Sequence, residues 1–224
     1  MRSLVQHAAV EFEGADASHV LAWAATIFGR GVAVAASMQD AVVPHLVSQA
    51  IPNVDVLFID TGYHFGETLR TRDRVARELP ITVVTLRPSR TVAEQDAEFG
   101  PRLHERDPDV CCFLRKVNPL AEALQGYTAW VGGGRRADSP TRAKLPVVSW
   151  DNDHDMVKIS PIVAWSDADV EAYQEEHGLP RHPLISDGFP SIGCAPCTRR
   201  VQPGEDPRAG RWAGHAKTEC GIYG

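Results

Sequence analysis

The sequence predicts an α/β fold built around a parallel β-sheet. Three short apolar runs, at residues 31–36, 54–59 and 81–86, are each followed by a polar loop and a segment with helical periodicity. Such runs are typical of strands that are buried on both faces, as they are in parallel sheets covered by helices. Strands that alternate with helices form βαβ units, so we expect a parallel-sheet domain.

Helical segments separate and follow the predicted strands. Residues 16–28 show amphipathic spacing, with Asp16 or Ser18 near the start of the helix. In the predicted helix at 40–49, Pro44 is compatible with helical structure only because it lies in the first turn. The remaining predicted elements are helices at 64–79 and 91–99, a loop or short helix at 101–110, a helix at 111–125 interrupted near Pro119, strands at 127–131 and 157–161, and a helix at 166–177.

The C-terminal part of the chain lacks such periodicity. The last predicted helix begins with Ser166, and Asp169 stands at the capping-box position. From Leu179 onward, Pro, Gly and Arg are frequent, which predicts an irregular segment. We therefore expect a domain at residues 1–197 and a mobile tail at residues 198–224.

Composition excludes several classes of protein. The 224 residues are 43% hydrophobic and 23% charged, which is typical of a folded soluble domain. The net charge of −6 argues against a nucleic-acid or anionic-membrane partner. No apolar stretch has the length of a membrane span, and no signal peptide is expected. An odd count of five cysteines without a signal peptide predicts a reducing compartment, the cytoplasm. The sequence leaves homo-oligomer formation open.

Polar residues gather where three of the predicted strands end. The carboxyl ends of neighbouring parallel strands meet at one edge of a sheet, and ligands bind there in open α/β folds. Helix N-termini and arginine side chains at that edge suit phosphate or sulfate oxygens. For each loop alone, a capped helix start or a solvent-exposed turn is the plainer interpretation. The residues at these strand ends are Ser37, Gln39, Asp60, Thr61, Gly133, Arg135 and Arg136.

Two pairs of cysteines predict a metal centre. Cys111 and Cys112 are adjacent, and Cys194 and Cys197 form a CxxC motif. Thiolates bind zinc or an iron–sulfur cluster in groups of four. Neighbouring helical residues project about 100° apart, so two adjacent thiolates reach two irons of a cluster more readily than one zinc ion. This favours a [4Fe–4S] cluster, with a redox-active CxxC or buried structural thiols as the alternatives.

The fifth cysteine, Cys220, lies near the end of the tail. A thiol on a mobile segment can enter a site, react and then reach a partner. Lys217 would favour the thiolate of Cys220, whereas Glu219 would oppose it. An incidental exposed cysteine is the alternative. The tail also carries an excess of positive charge that suits an anionic substrate, from Arg199, Arg200, Arg208, Arg211 and Lys217 against Glu205 and Asp206.

Together these motifs resemble the assimilatory adenylylsulfate (APS) reductases, which are thioredoxin-dependent sulfonucleotide reductases. The resemblance extends from about residue 33 to residue 220 and preserves the order and spacing of the motifs. The matching motifs are ASMQD at 36–40, IDTG at 59–62, CCFLRKV at 111–117, GRR at 134–136, SIGCAPC at 191–197, GEDPRAGRW at 204–212 and ECG at 219–221.

The resemblance implies a fold, a reaction and a set of site residues. The implied fold is the Rossmann-like adenine-nucleotide alpha-hydrolase type with a mobile C-terminal segment. The implied reaction is reduction of APS to sulfite and AMP by reduced thioredoxin, within cytoplasmic sulfate assimilation and cysteine biosynthesis. Cys220 would be the nucleophile and would form an S-sulfocysteine. A [4Fe–4S] cluster would be held by Cys111, Cys112, Cys194 and Cys197, and Lys116, Arg135 or Arg136, Arg208 and Arg211 would bind the phosphosulfate.

The sequence departs from the family pattern at one position of the tail. Tyr223 stands where the family usually has a histidine, and a phenol is not cationic at neutral pH. Because the chain ends at Gly224 without a fused redox domain, we expect a separate thioredoxin.

Three alternative functions remain. They are a reductase of the 3′-phosphorylated nucleotide (PAPS), an ATP pyrophosphatase or sulfurtransferase, which would be expected to carry an SGGxDS loop, and a non-catalytic zinc or redox-sensing module.

Overall fold

The computed structural model describes residues 1–222, which form one six-stranded β-sheet with helices on both faces. The spatial order of the strands is β3-β2-β1-β4-β6-β5. All neighbouring strands are parallel except β5, which runs antiparallel to β6 at the edge. The strands are β1 (Val32–Ala35), β2 (Val54–Ile59), β3 (Ile81–Leu86), β4 (Ala129–Gly132), β5 (Val148–Asp151) and β6 (Met156–Ile159). The predicted parallel α/β sheet is confirmed.

The helices follow the predicted alternation with the strands. In α9, the Ser166 hydroxyl accepts a hydrogen bond from the Asp169 N–H, and the Asp169 side chain accepts one from the Ser166 N–H, so the predicted capping box is present. The helices are α1 (Arg2–Glu11), α2 (Ala17–Phe28), α3 (Val42–Ala50), α4 (Gly66–Glu78), α5 (Val92–Phe99), α6 (Leu103–Arg106), α7 (Pro108–Cys112), α8 (Asn118–Leu124) and α9 (Asp167–Glu176).

Side chains of the central strands alternate between two apolar cores. In β1, Val32 and Val34 join the core that α1, α2 and α3 cover. Ala33, between them, joins the smaller core on the opposite face, together with Trp130 of β4 and Leu120 of α8. Both faces of the sheet are therefore covered, as the continuous apolar runs predicted.

Three features differ from the sequence predictions. The helix α1 and the edge strand β5 were not predicted, because a short half-buried strand and a polar N-terminal helix give weak periodic signals. The irregularity in the predicted 111–125 helix lies before Pro119, in a π-helical stretch at Phe113–Val117. There the Asn118 N–H bonds to the Phe113 carbonyl, five residues back. Proline at the start of α8 lacks an N–H, which favours a widened turn ahead of it.

The C-terminal region is irregular, as predicted, but it is tied to the domain by contacts that extend beyond residue 198. Its regular elements are short 3₁₀ turns at Pro183–Ile185 and Ala195–Cys197. Thr198 and Arg211 form an isolated antiparallel bridge, and the Trp212 N–H bonds to the Cys197 carbonyl. Of the helices within residues 1–222, none has both the length and the apolar character needed to cross a bilayer.

Candidate active site

A cavity of about 560 Å³ opens at the carboxyl ends of the parallel strands. The strand order reverses between β1 and β4, and this switch point is where open α/β sheets bind ligands. The loops that follow β1, β2 and β4 all contribute to the lining, as do α9 and the C-terminal region. Among the predicted site residues, the lining includes Ser37, Gln39, Thr61, Lys116, Gly133, Arg135, Arg208, Arg211 and Cys220.

The loop after β1 joins the cavity to the segment that leads to the CxxC motif. The Gln39 side chain accepts a hydrogen bond from the Ile192 N–H at 2.8 Å. The Gln39 N–H donates to the Ser37 hydroxyl at 3.4 Å, and Met38 between them has a positive φ of 61°. This turn brings the polar side chains of the loop to the cavity while the Met38 side chain is fully buried.

Of the two predicted site residues after β2, one lines the cavity and the other does not. The Thr61 side chain is 1% exposed, and its hydroxyl lies 3.3 Å from the Cys194 sulfur. Asp60 is absent from the described lining of the cavity. Its carboxylate instead accepts the Gly62 N–H at 3.1 Å and faces Arg87 at 4.0 Å. Asp60 therefore caps the turn, which was the plainer interpretation of this loop.

The side chains of the two arginines after β4 also lie in different places. Arg135 lines the cavity and donates to Asp138 and Asp167, and its Nη1 has no hydrogen-bond partner within residues 1–222. Arg136 is outside the cavity lining, because both of its Nη atoms bond to the Glu13 carboxylate at 2.6 and 2.8 Å. Of this pair, only Arg135 offers a buried donor to a bound anion.

Arg208 and Arg211 bring positive charge from the C-terminal region. Arg211 lies over the Trp212 ring at 4.5 Å and donates to the Ser191 hydroxyl at 3.3 Å. A Cβ atom at Gly193 would lie 2.3 Å from the Arg211 guanidinium, so a larger residue there would displace that side chain. Burial and the neighbouring charge of Arg208 lower the pKa of Arg211. A bound anion would offset that charge crowding.

The four paired cysteines lie together around a second, small cavity. Cys111 and Cys112 end α7, whereas Cys194 and Cys197 lie in and beside the 3₁₀ turn at Ala195–Cys197. Burial and the neighbouring thiols raise the pKa of Cys111 to about 12 and that of Cys197 to about 11. Burial also raises the pKa of Cys112, and the positive charge of a bound metal would favour the thiolate forms of Cys111, Cys112 and Cys197.

The described residues contain no ready-made site for a single metal ion. Within residues 1–222, no group of three or more His, Cys, Asp or Glu side chains is placed to hold one metal ion. A single zinc ion would draw its ligand sulfurs to about 2.3 Å from one centre, whereas a cluster spreads its thiolates over several irons. Cys111, Cys112 and Cys194 are buried and Cys197 is half-buried, and four thiols are a donor set that zinc and iron–sulfur clusters both take.

Lys116 connects the two cavities, because its side chain lines both. It belongs to the π-helical stretch that directly follows Cys111 and Cys112. Burial opposes the charged ammonium, but the thiols of Cys194 and Cys220 outweigh this effect and raise the pKa of Lys116. The lysine is therefore a cation between the cysteine cluster and the larger cavity.

Cys220 lies at this cationic end of the larger cavity. Its thiol interacts electrostatically with Lys116, Arg211 and Lys158. Ile222, two residues further on, packs against the smaller apolar core on the sheet. The departure at Tyr223 lies outside the described residues.

Sequence reasoning missed Arg142, which holds the tail beside the cavity. Arg142, 8% exposed, forms a two-point ion pair with the Glu219 carboxylate. Arg208 lies 3.5 Å from the same carboxylate. The charge of Glu219 is thus balanced by two arginines. No local motif links residues that are 77 positions apart in the chain.

A large cavity at the switch point of a parallel sheet, with cations gathered at one end, defines a class of nucleotide-binding α/β enzymes. Residues 31–200 match the family described as the phosphoadenosine phosphosulfate reductase domain. An adenosine 5′-phosphosulfate reductase of Streptomyces coelicolor is 58% identical over 224 residues, covering 100% of this chain and 95% of the relative. That of Mycolicibacterium smegmatis is 52% identical, covering 100% and 94%. The chain belongs to this family and groups with its adenosine 5′-phosphosulfate reductases.

Solved structures agree with this assignment. A phosphoadenylyl-sulfate reductase from Candida auris, in a phosphate complex, superposes with a TM-score of 0.73 at 27% identity, covering 87% of this chain and 96% of its own. An FMN adenylyltransferase from Candida glabrata has a TM-score of 0.60 at 15% identity, covering 92% of this chain and 70% of its own. The second similarity shows the fold alone. The predicted Rossmann-like, adenine-nucleotide alpha-hydrolase type of fold is confirmed.

Proposed function

We propose that this protein reduces adenylylsulfate to sulfite and AMP with electrons from reduced thioredoxin, as a step of cytoplasmic sulfate assimilation that leads to cysteine biosynthesis. The observation that carries the proposal is the position of Cys220 at the cationic end of the switch-point cavity. The two bacterial relatives reported above are named for this reductase activity, and the sequence match covers 95% and 94% of their lengths.

The nucleotide occupies the larger cavity with its phosphosulfate towards the cations. Adenosine and ribose lie along the loops after β1, β2 and β4, where Ser37, Gln39, Thr61 and Gly133 offer polar contacts. Lys116, Arg135, Arg208 and Arg211 surround the phosphosulfate. These cations neutralise the substrate and also the charge that develops on departing AMP. Asp60 and Arg136 are not used, because their side chains are engaged elsewhere.

Cys220 is the nucleophile. Its thiolate attacks the sulfur of the sulfate group, forming an S–S bond as the S–O bond to phosphate breaks. AMP leaves with the electron pair of that bond, and Cys220 carries the S-sulfonate. The tail then leaves the cavity. A thioredoxin thiolate attacks the Cys220 sulfur and releases sulfite, and the second thioredoxin thiol closes the thioredoxin disulfide and frees Cys220.

Cys111, Cys112, Cys194 and Cys197 hold a [4Fe–4S] cluster in this proposal. When bound, the cluster supplies a covalent link between α7 and the CxxC turn and sets the charge around Lys116. The support is the grouping of the four thiols around one small cavity, which the cation Lys116 also lines. Electrons for sulfite release come from thioredoxin.

The proposal is tested by the choice of nucleotide. With reduced thioredoxin, kcat/KM for adenylylsulfate is expected to exceed that for the 3′-phosphorylated nucleotide by at least about 100-fold, because a site fitted to a 3′-hydroxyl would have to take up an additional dianion. Sulfite and AMP are quantified from both substrates at matched concentrations. A preference for the 3′-phosphorylated nucleotide would overturn the substrate assignment. Consumption of ATP without sulfite release would overturn the reaction class.

A further inference from the structure

Residues 217–222 are held against the domain by several polar contacts and one apolar contact. The Glu219 carboxylate accepts hydrogen bonds from Arg142 Nε at 2.9 Å and Nη2 at 2.6 Å, and from the Ser139 hydroxyl at 3.0 Å. Arg208 donates to the Thr218 carbonyl at 2.9 Å, and Lys217 pairs with Asp109. Glu219, which directly precedes the nucleophile, therefore has the densest set of contacts.

The Glu219–Arg142 pair is shielded from solvent, unlike the second ion pair of the tail. The side chains of Arg142 and Glu219 are 9% and 19% exposed, whereas Asp109, the partner of Lys217, is 79% exposed. Ion pairs at exposed positions contribute little, because solvent and salt screen them. A two-point arginine–carboxylate pair with low exposure is stronger and fixes orientation. Within the described part of the tail, Glu219 is therefore the main polar anchor.

Arg142 also connects the tail to the cavity wall. Its Nη1 donates to Asp138 at 2.8 Å, and the same aspartate accepts from Arg135, the cavity-lining arginine with an unpartnered Nη1. Four charged side chains thus alternate in sign from the tail to the cavity, in the order Glu219, Arg142, Asp138 and Arg135. These ion pairs connect the position of the tail to the position of Arg135 in the cavity wall.

We propose that Glu219 and Arg142 are the positioning pair that docks the tail and holds Cys220 at the cationic end of the cavity. This proposal rests on the function proposed above, in which Cys220 attacks the substrate. Glu219 makes no bond to the substrate; it acts through the backbone of the next residue. When the pair separates, the tail is free to carry a modified Cys220 to thioredoxin.

Charge balance explains how a carboxylate is tolerated beside a nucleophilic thiol and an anionic substrate. Burial alone would raise the pKa of Glu219, but the hydrogen bonds and charge of Arg142 outweigh it, and the pKa of Glu219 is lowered. The carboxylate is therefore ionised at neutral pH and its charge is taken up by Arg142 and Arg208. Docking of the tail leaves little net negative charge next to Cys220.

Two measurements on Glu219→Gln test the proposal. The first is limited trypsin digestion of the holoprotein, with cleavage after Lys217 followed by mass spectrometry. Loss of a charge-assisted two-point contact is expected to accelerate this cleavage about 10- to 100-fold, because a protease needs the undocked tail. The second is single-turnover formation of the Cys220 S-sulfonate without thioredoxin, which is expected to slow by about the same factor.

The matched control is Glu205→Gln, which removes a carboxylate from the exposed pair with Arg199 in the same C-terminal region. It is expected to leave both rates within about twofold of the parent. Glu219→Asp, which keeps the charge on a shorter side chain, is expected to restore part of both losses. In an Arg142→Gln background, Glu219→Gln should have a smaller effect than it has in the parent, because the two residues share one contact.

The outcomes separate this proposal from the proposed function. If Glu219→Gln changes neither the cleavage after Lys217 nor the single-turnover rate, the docking role is wrong while the function stands. If Glu205→Gln has the same effects as Glu219→Gln, a general loss of charge is responsible and the proposal is overturned. If the parent forms no S-sulfonate but Glu219→Gln still accelerates cleavage, docking by Glu219 is supported and the proposed function fails.

Discussion

Replacing Cys220 with serine is expected to lower sulfite formation from adenylylsulfate by at least about 10⁴-fold, because an uncharged hydroxyl cannot replace the thiolate as the attacking group. The substitution changes one atom in a half-buried tail residue, so nucleotide binding and folding are expected to be retained. The measurement is steady-state sulfite release with reduced thioredoxin, together with the affinity for AMP by calorimetry.

Thr218→Ala is the matched control for the nucleophile. Thr218 lies on the same tail with an exposed side chain, and its carbonyl, which binds Arg208, is unaffected by the substitution. This variant is expected to retain sulfite formation within about twofold. A Cys220→Ser protein that still released sulfite at the parent rate would remove Cys220 from the reaction.

Cys194→Ser is expected to abolish the proposed cluster and, with it, most of the activity. The parent, purified without oxygen, is expected to contain about four iron atoms per chain, and the variant to contain few or none. Because binding of the cofactor is coupled to folding, the melting temperature of the variant is also expected to fall. Iron and acid-labile sulfide analysis, visible absorption and thermal unfolding measure these changes.

The two cysteine substitutions control for one another. The same chemical change at Cys220 is expected to leave iron content and visible absorption at the parent level, because Cys220 lines the larger cavity and not the small cavity of the four thiols. Equal loss of iron in both variants would contradict this division of roles. Zinc in place of iron in the parent would contradict the cluster itself.

The sequence was sufficient for the parallel strands of the sheet, though not for the edge strand β5, and for the edge at which most site residues lie. Continuous apolar runs such as 54–59 correspond to strands without any shift in bounds, because burial on both faces leaves a strong signal. Strand ends then carry loop residues to the switch point, so Ser37 and Arg135 could be placed near one another before any coordinates were considered. The four paired cysteines likewise converge.

Contacts between distant residues could not be predicted in the same way. Whether Arg135 or Arg136 faces the cavity depends on the turn after β4 and on Glu13, which lies 123 positions away. From the sequence, Asp60 could either contact a ligand or cap the turn after β2. The hydrogen bond from the Gly62 N–H to its carboxylate, which shows that it caps the turn, is seen only in the structure. The pair of Arg142 and Glu219 leaves no periodic or local signal, since its two residues meet only in the folded chain.

The central claim is that Cys220 takes the sulfonate group directly from adenylylsulfate. Its most direct test is the intact mass and tryptic map of anaerobically purified protein after incubation with adenylylsulfate in the absence of thioredoxin. The account predicts a mass gain of one sulfonate group, located on Cys220 and removed by reduced thioredoxin with release of sulfite. A protein with intact iron and sulfide that gained no adduct, or gained it on another cysteine, would contradict it.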